Sequence, residues 1–256
     1  MDAFDAAVKL KPDLGEALFN RALARQGLGQ DKEAIADLTL ALEKGFPETR
    51  TYFLRSRLKE KIGDKEGARR DLEEGLKRQP SDPNSWVARG LARLKREPEK
   101  ALEDFEQALK MNPRYYPALQ NKAHVLAEKL NKPEEALRAI DQAVESAPES
   151  GTARSGRGVV HARLGHWDDA RKDAEAALLL DAGAERQYQV ACIYALTSAA
   201  EPDDRPRALQ LLAAALRQGY GLDLIDADTD LDPLRRLPEF RRLVEAARAL
   251  RPPGPR

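Results

Sequence analysis

Aspartate occupies every second position from Asp226 to Asp232, a pattern that could supply oxygen ligands to a calcium ion. An EF-hand loop places its ligands in this way, but it also requires glycine at its sixth position and a bidentate glutamate at its twelfth. Those two positions hold Leu231 and Leu237. The segment is therefore interpreted as a solvated turn and helix cap, and no metal site is predicted in it.

The three histidines and the single cysteine are the other candidate metal ligands. Cys192 is distant in sequence from His124, His161 and His166, so a shared site would require the fold to bring separate segments together. His161 is expected on a helix and His166 in the turn that follows it. All three histidines are interpreted as ordinary surface or hydrogen-bonded residues, and no metal ligand is predicted.

Catalytic and nucleotide-binding patterns are incomplete. A Gly-x-Ser-x-Gly sequence around Ser155 would need glycine where Ala153 and Arg157 stand. There is no Gly-Lys-Ser/Thr for phosphate, and no His-Arg-Asp or Asp-Phe-Gly triplet of a protein kinase. We therefore predict no catalytic residue, no cofactor and no enzymatic activity in these 256 residues.

The charge balance excludes partners selected by bulk charge. Lysine and arginine total 43, as do aspartate and glutamate, so no global field attracts nucleic acid or an acidic membrane surface. The sequence has no run of 18 apolar residues, no secretion signal at its start and only one cysteine. We predict a cytoplasmic protein, and the scarcity of lysine after Lys132 indicates a bacterial source.

A small residue recurs at intervals of about 34 positions along the chain. A larger, usually apolar residue lies three positions before it, and this spacing places the pair on one face of a helix. Each period therefore contains a helix with one narrow face on which a small residue lets a neighbouring helix approach closely. The recurring small residues are Ala7, Ala41, Gly75, Ala108, Ala143, Ala177 and Ala215.

Each period is divided by a turn and closed by a proline. Turn signals such as Gly29-Gln30-Asp31 split the period into two helical stretches. A proline then falls just after the second stretch, where its missing N–H stops helix propagation. The predicted unit is helix, short turn, helix and proline. The closing prolines are Pro12, Pro47, Pro80, Pro113 and Pro148.

This pattern resembles the tetratricopeptide repeat family, whose repeat of about 34 residues consists of two helices with large and small residues at set positions. The resemblance covers residues 1 to about 220. It implies an all-α fold, a tandem helix-turn-helix solenoid wound into a right-handed superhelix. The third repeat matches most fully, with Trp86, Gly90, Ala101, Phe105, Ala108 and Pro113.

The chain is predicted to begin in the middle of a repeat. Residues 1–12 are interpreted as a half repeat, a second helix without its first, and residues 15–220 as six repeats. A lone helix leaves the face with Phe4, Ala7 and Val8 uncovered, which favours a cut in a longer parent protein. The six repeats are predicted at 15–48, 49–82, 83–115, 116–150, 151–183 and 184–220.

Residues 221–250 are predicted to cap the last repeat with helices, and residues 251–256 to form a disordered tail. Asp232 and Pro233 are predicted as the N-cap and first residue of an amphipathic helix. Asp-x-Asp-Leu-Asp-Pro-Leu followed by Pro-x-Phe resembles the C-terminal end of tetratricopeptide regions attached to planctomycete-type bacterial serine/threonine kinases. This resemblance implies a kinase or another signalling domain upstream of Met1.

The family resemblance further implies that the first helices line a concave groove. Such a groove would combine apolar patches with a basic region at Arg50 and Arg57, which suits an extended peptide or a helix. Phe53 fits the core between repeats equally well, whereas Arg57, Gln120 and His124 are expected to be accessible. The predicted groove residues are Phe19, Arg50, Phe53, Arg57, Gln120, His124, Ser155 and Tyr188.

The carboxylate clamp of chaperone-associated relatives is not predicted, because the lysines and asparagines that it requires are replaced here by residues such as Phe19, Leu23 and Leu54. The predicted function is a protein–protein interaction scaffold for a peptide or protein partner. Two alternatives remain open. One is a non-catalytic regulatory or docking tail of a bacterial serine/threonine kinase, and the other is an architectural module that forms a homodimer through the half repeat.

Overall fold

The computed structural model describes residues 2–11, 13–46 and 48–250. Throughout these ranges the regular structure is helical, with no β-strand, as the sequence predicts. The predicted tail at 251–256 and the closing prolines Pro12 and Pro47 lie outside the described residues. No helix within the described ranges combines the length and apolarity needed to cross a membrane.

The α-helices follow one another with short connections, and two 3-10 helices, Pro202–Asp204 and Thr229–Leu234, lie among the last of them. The α-helices are α1 (Asp2–Leu10), α2 (Gly15–Gly27), α3 (Asp31–Glu43), α4 (Arg50–Lys61), α5 (Lys65–Lys77), α6 (Pro83–Arg93), α7 (Pro98–Met111), α8 (Tyr116–Glu128), α9 (Pro133–Ser146), α10 (Gly151–Arg163), α11 (Trp167–Leu180), α12 (Ala184–Thr197), α13 (Arg205–Arg217) and α14 (Pro238–Ala249).

The chain divides into two compact units, the first ending at Asn121 and the second beginning at Lys122. In the first unit α2 and α3, α4 and α5, and α6 and α7 pack together as hairpins, and α1 packs against α2. In the second unit α10 pairs with α11 and α12 with α13, while α14 packs against α13. The helical hairpin is therefore the repeating element of both units.

Three of the hairpins share one backbone turn. Gly29, Gly63 and Gly165 have φ angles of 73°, 90° and 77°, which glycine adopts without steric cost. The N–H group of the residue after each glycine closes the turn by donating to the carbonyl five positions earlier. These hydrogen bonds join Gln30 to Arg25, Asp64 to Lys59 and His166 to His161, each at 2.9 Å.

Glycine also permits close approach between the helices. A Cβ atom at Gly90 would lie 2.5 Å from Cε1 of Phe105, and one at Gly158 would lie 2.7 Å from Cδ1 of Ile193. The large side chain thus fills the gap that the small residue leaves. Phe105 and Ile193 are consequently fully buried, and burying such a side chain contributes about 1.5–3 kcal/mol.

Four described hairpins also contain the same ion pair at their centre, in which an arginine of the first helix binds an aspartate of the second; we call it the hairpin ion pair. Each aspartate is at most 4% exposed. Such buried charges are stable only when they are paired. The pairs are Arg21–Asp37 at 2.6 Å, Arg55–Asp71 at 2.5 Å, Arg89–Asp104 at 2.7 Å and Arg157–Asp173 at 2.7 Å.

The arginines of three hairpin ion pairs also reach the preceding helix. Nη1 of Arg21 lies 3.1 Å from Oδ1 of Asp5 on α1. Nη1 of Arg55 donates to Oγ1 of Thr39 on α3, also at 3.1 Å. A single guanidinium group therefore ties its own hairpin to the helix before it. The third example is Arg157, which lies 3.1 Å from Asp141 on α9.

The hairpin of α12 and α13 has apolar residues at the corresponding positions. Val190 replaces the arginine and Leu211 replaces the aspartate. Both are buried in the core of the second unit, with Ile193 and Leu212. This hairpin is therefore held by side-chain packing where the four hairpins described above use charge.

The prediction of a helix starting at Asp232 and Pro233 is wrong. The chain instead forms the 3-10 helix Thr229–Leu234 and then α14, which starts at Pro238. The Asp228 carboxylate accepts the N–H of Asp230 at 3.1 Å, and Arg235 donates to the Asp228 carbonyl at 2.8 Å. These bonds to the backbone stabilise a tight turn, so the α-helix starts at Pro238 and not at Pro233.

The aspartates of this closing segment bind arginines of the chain. Asp230 lies 2.7 Å from Nη2 of Arg163 on α10, and Asp226 lies 2.5 Å from Nη2 of Arg248 on α14. Burial raises the pKa of Asp230, while Arg163 opposes that shift. The alternating aspartates therefore join the closing segment to helices of the second unit.

Candidate functional site

The first helices of the first unit line one groove, with a volume of about 630 Å³. It lies over α2, α4 and α6, and its sides carry both apolar and charged residues. Four of the predicted groove residues are here, and four are not. The groove is lined by Phe19, Leu23, Arg50, Phe53, Leu54, Ser56, Arg57, Glu60, Leu72, Asn84, Val87, Ala88, Leu91 and Ala92.

The floor of the groove is apolar and well packed. Phe19 is 2% exposed and Phe53 is 9% exposed, so both form the core between hairpins while their edges line the groove. Leu23 and Leu91 are 42% and 46% exposed, and they present aliphatic surface at the groove mouth. Exposed aliphatic groups that share a concave surface favour burial against a partner.

Arg50 is held against the aromatic floor. Its guanidinium carbon lies 4.4 Å from the centre of the Phe19 ring, within the range of a cation–π contact. It also pairs with Glu48, and its backbone N–H donates to Oγ of Ser85 on α6 at 3.2 Å. Arg50 is therefore fixed in place and already partnered.

Arg57 differs from the other cations of α4. Arg55 and Lys59 both bind Asp71, at 2.5 Å and 2.9 Å, but Arg57 is exposed and makes no ion pair or hydrogen bond within the part of the chain that the structure describes. Glu60 lies one helical turn further along the same groove and is also exposed and unpaired within that part. The groove therefore offers one free cation and one free anion beside its apolar floor.

The remaining predicted residues lie outside this groove. Gln120 is half-buried at the end of the first unit, and His124 is exposed in the second. Ser155 is 1% exposed and donates to Oε1 of Gln189 at 2.6 Å. Tyr188 is 3% exposed, with its ring 5.8 Å from that of Tyr220. Ser155 and Tyr188 are therefore not available to a partner, because contacts between helices enclose both side chains.

Burial also changes the acidity of Tyr188. Desolvation raises the pKa of its phenol, and the nearby Cys192 and Asp228 reinforce that rise. A Cβ atom at Gly221 would lie 2.3 Å from the Tyr188 ring. The segment after α13 therefore covers the face of α12 that the family resemblance assigns to the groove.

Sequence reasoning missed the hairpin ion pairs. Their signal is an arginine followed 15 or 16 positions later by an aspartate, in four of the repeats. It was available in the sequence but is weaker than the alanine periodicity, because two of the six predicted repeats lack it.

The fold and the groove define a class, that of helical-hairpin repeat proteins. Two family models, both described as Tetratricopeptide repeat, match the sequence, one at residues 16–49 and the other at 53–113 and 125–186. Together these segments cover more than half of the chain. The chain belongs to the tetratricopeptide repeat family.

Solved structures show the same fold at low sequence identity. A tetratricopeptide repeat protein from Parabacteroides merdae has 20% identity and a TM-score of 0.59, with 91% of this chain and 90% of that chain covered. Yeast Tom70 has 20% identity and a TM-score of 0.60, with 84% and 46% covered. The Cut9–Hcn1 hetero-tetramer of the APC/C has 18% identity and a TM-score of 0.61, with 80% and 38% covered.

Proposed function

We propose that this chain is a protein-interaction scaffold whose groove in the first unit binds a polypeptide segment of a partner protein. Membership of the tetratricopeptide repeat family supports the scaffold function. The observation that carries the choice of this groove is the free Arg57 and Glu60 beside exposed Leu23 and Leu91.

The chemistry of the groove specifies the ligand. Aliphatic or aromatic side chains of the ligand would cover Leu23, Leu91 and the edge of Phe53. An acidic side chain would bind Arg57 and a basic one would bind Glu60. Because Arg57 and Glu60 are three residues apart on α4, they lie on one face, and a single short segment can reach both. An amphipathic peptide with charges of both signs fits best.

A phage-display experiment tests this proposal. Peptides are selected from a random library and are then titrated against the purified protein. Arg57→Glu is expected to weaken the Kd at least about tenfold, since a charge-assisted hydrogen bond contributes about 1.5–3 kcal/mol. Arg70→Glu is the matched control, because Arg70 is exposed on α5 and lies outside the groove.

Two results separate the outcomes of this experiment. Peptides selected with wild type should combine apolar residues with an acidic residue, which binds Arg57, and a basic residue, which binds Glu60. A Glu60→Lys variant should instead prefer peptides in which that basic residue is replaced by an acidic one. Equal loss of binding with Arg57→Glu and Arg70→Glu would reject the groove as the site.

The kinase-tail function is a narrower form of the same proposal, in which the scaffold serves a kinase domain on the same polypeptide. Its support is the closing sequence from Asp226 to Phe240, which resembles the end of such regions. The coding sequence upstream of Met1 tests it.

Homodimerisation through the half repeat is supported by Leu10, which is 82% exposed on α1. Sedimentation of wild type against Leu10→Lys tests that alternative.

A further inference from the structure

The hairpin of α10 and α11 brings two histidines together. His161 lies near the end of α10, and His166 is the N-cap residue of α11. Nδ1 of His161 is 3.3 Å from Nδ1 of His166, and the ring centres are 5.5 Å apart. The sequence interpretation treats the two as independent surface residues, but the structure brings their Nδ1 atoms within hydrogen-bond distance, with the two rings tilted by 50°.

We propose that His161 and His166 form a chelating site for a divalent transition metal ion such as Zn²⁺. Zinc binds histidine nitrogen at about 2.0–2.1 Å in tetrahedral geometry, so two nitrogens on one zinc ion are separated by about 3.3 Å. The Nδ1 atoms already have this separation. Imidazole nitrogen is also a preferred ligand of copper and nickel. This site does not depend on the function of the groove.

The backbone holds the two histidines in place. The N–H group of His166 donates to the carbonyl of His161 at 2.9 Å, and Gly165 between them has a φ angle of 77°. The same turn joins Arg25 to Gln30 and Lys59 to Asp64 in other hairpins. Those pairs do not provide two imidazoles. In each of the three turns this hydrogen bond holds the backbones of two residues, five positions apart, close together. Only the hairpin of α10 and α11, among the three, has a histidine at both of these positions.

The hairpin ion pair leaves His161 free to bind a metal. In the other hairpins the position of His161 holds Arg25, Lys59 or Arg93, and each of these binds the buried aspartate within 2.9 Å. Asp173 receives two hydrogen bonds from Arg157, at 2.7 Å and 2.8 Å, as Asp37 and Asp71 do from their own arginines, but it has no second cation of this kind. Nε2 of His161 is 4.0 Å from Asp173.

The nearby carboxylate also favours one tautomer of His161. A negative charge next to Nε2 favours the proton on that nitrogen, which leaves the lone pair on Nδ1. Many metal-binding histidines donate their other ring N–H to a carboxylate; at 4.0 Å, Asp173 acts on His161 by its charge and not through a hydrogen bond. Asp173 therefore prepares Nδ1 of His161 to act as the ligand.

His166 borders an open, polar part of the surface. A polar cavity of about 400 Å³ adjoins His166, and its walls include Asp168, Asp169 and Glu201. No group of three or more His, Cys, Asp or Glu side chains converges to hold a metal among the residues that the structure describes. The two imidazoles would thus be the protein ligands, and water would complete the coordination.

Calorimetric titration of the purified chain with Zn²⁺ tests this site. We expect one Zn²⁺ to bind per chain. His161→Gln or His166→Gln should each weaken the Kd at least about tenfold, since the loss of even an outer partner of a metal ligand costs about tenfold or more. His124→Gln is the matched control, because His124 is an exposed histidine on another helix, and it should leave the Kd unchanged. Circular dichroism confirms that each variant folds.

Three outcomes would overturn the proposal. The first is the absence of binding heat from wild type at millimolar Zn²⁺, and the second is a variant with both histidines replaced that binds as tightly as wild type. The third is Zn²⁺-induced dimerisation in sedimentation experiments, which would mean that the metal bridges two copies. Imidazole nitrogen resonances supply a second readout, since both Nδ1 signals should shift on addition of Zn²⁺ and both Nε2 signals should shift less.

Discussion

The hairpin of α6 and α7 and the hairpin of α12 and α13 are built around different centres. In the first, the buried Asp104 binds both Arg89 and Arg93. In the second, Val190 and Leu211 occupy the positions of Arg89 and Asp104, and the centre is apolar. A small residue at the same position of the first helix, Gly90 in one hairpin and Ala191 in the other, therefore accommodates either charge or hydrophobic packing.

This difference separates what shapes the hairpin from what stabilises it. Small residues such as Gly90 and Gly158 set the distance between helices, and Ala191 holds the equivalent position in the apolar hairpin. A buried ion pair costs desolvation and often contributes less than apolar side chains of similar size. Its geometric demands, however, fix the register of one helix against the other. Charge therefore favours a unique alignment of the two helices, and apolar packing favours stability.

The strongest test of this comparison removes the buried negative charge from the α6–α7 hairpin. Asp104→Ala leaves Arg89 and Arg93 near each other without an anion, and we expect it to lower the free energy of unfolding by about 3–5 kcal/mol. Urea unfolding measures this loss. Glu103→Ala is the control, since Glu103 is the exposed neighbour of Asp104 on α7.

The triple variant Arg89→Met, Arg93→Met and Asp104→Leu converts this centre to the apolar kind. It should recover most of the stability, because replacement of a buried ion pair by apolar residues is often neutral or stabilising. If the stability is not recovered, the α6–α7 hairpin cannot accept an apolar centre, and the two kinds of centre are not interchangeable.

Substitution of the small residues tests the feature that both kinds of hairpin share. Gly90→Ala places a Cβ atom within 3 Å of several Phe105 ring atoms, and we expect a loss of about 1–3 kcal/mol. Gly158→Ala should cost less, because the nearest atom is the flexible end of Ile193, and the next, the backbone oxygen of Ala170, is 3.3 Å away. At Gly156 the nearest atom is 3.7 Å away, so Gly156→Ala should not destabilise the protein. Thermal unfolding of the three variants ranks them.

The smallest expected effect concerns pH. Burial lowers the pKa of His161, Asp173 opposes the shift and Arg157 adds to it. A histidine whose pKa is lower in the folded state binds fewer protons than in the unfolded state, so its contribution to stability is present above pH about 6.5 and is lost as the pH falls below it. Unfolding measured from neutral to mildly acidic pH should therefore have a shallower slope for His161→Gln than for wild type. Equal slopes would show that the ring is hydrated as in the unfolded chain.

The helical periodicity was sufficient to predict the all-helical fold and the tetratricopeptide family. The spacing of small and large residues is a local signal, repeated along the chain, and packing follows from it. The groove positions of Phe19, Arg50, Phe53 and Arg57 came from the family resemblance, and the structure places them around one groove.

Other features depended on contacts that local spacing does not encode. The hairpin ion pairs leave only a weak signal in the sequence, an arginine 15 or 16 positions before an aspartate, and its meaning depends on the register of the two helices. The closing segment was mispredicted because Asp228 and Arg235 bond to the backbone, and these bonds override the apolar spacing that favoured one continuous helix. Tyr188 is buried because the segment at Gly221 covers it, which the repeat pattern could not indicate.

Arginines that bind both their own hairpin and the helix before it have a consequence for how the chain opens. In a repeat protein, nearest-neighbour terms decide whether segments melt together or one at a time. Arg55 adds such a term between α3 and α4 through Thr39, and Arg157 adds one between α9 and α10 through Asp141. Amide protons on the two joined helices should therefore exchange with solvent at similar rates, because opening one helix releases the guanidinium group that holds the other.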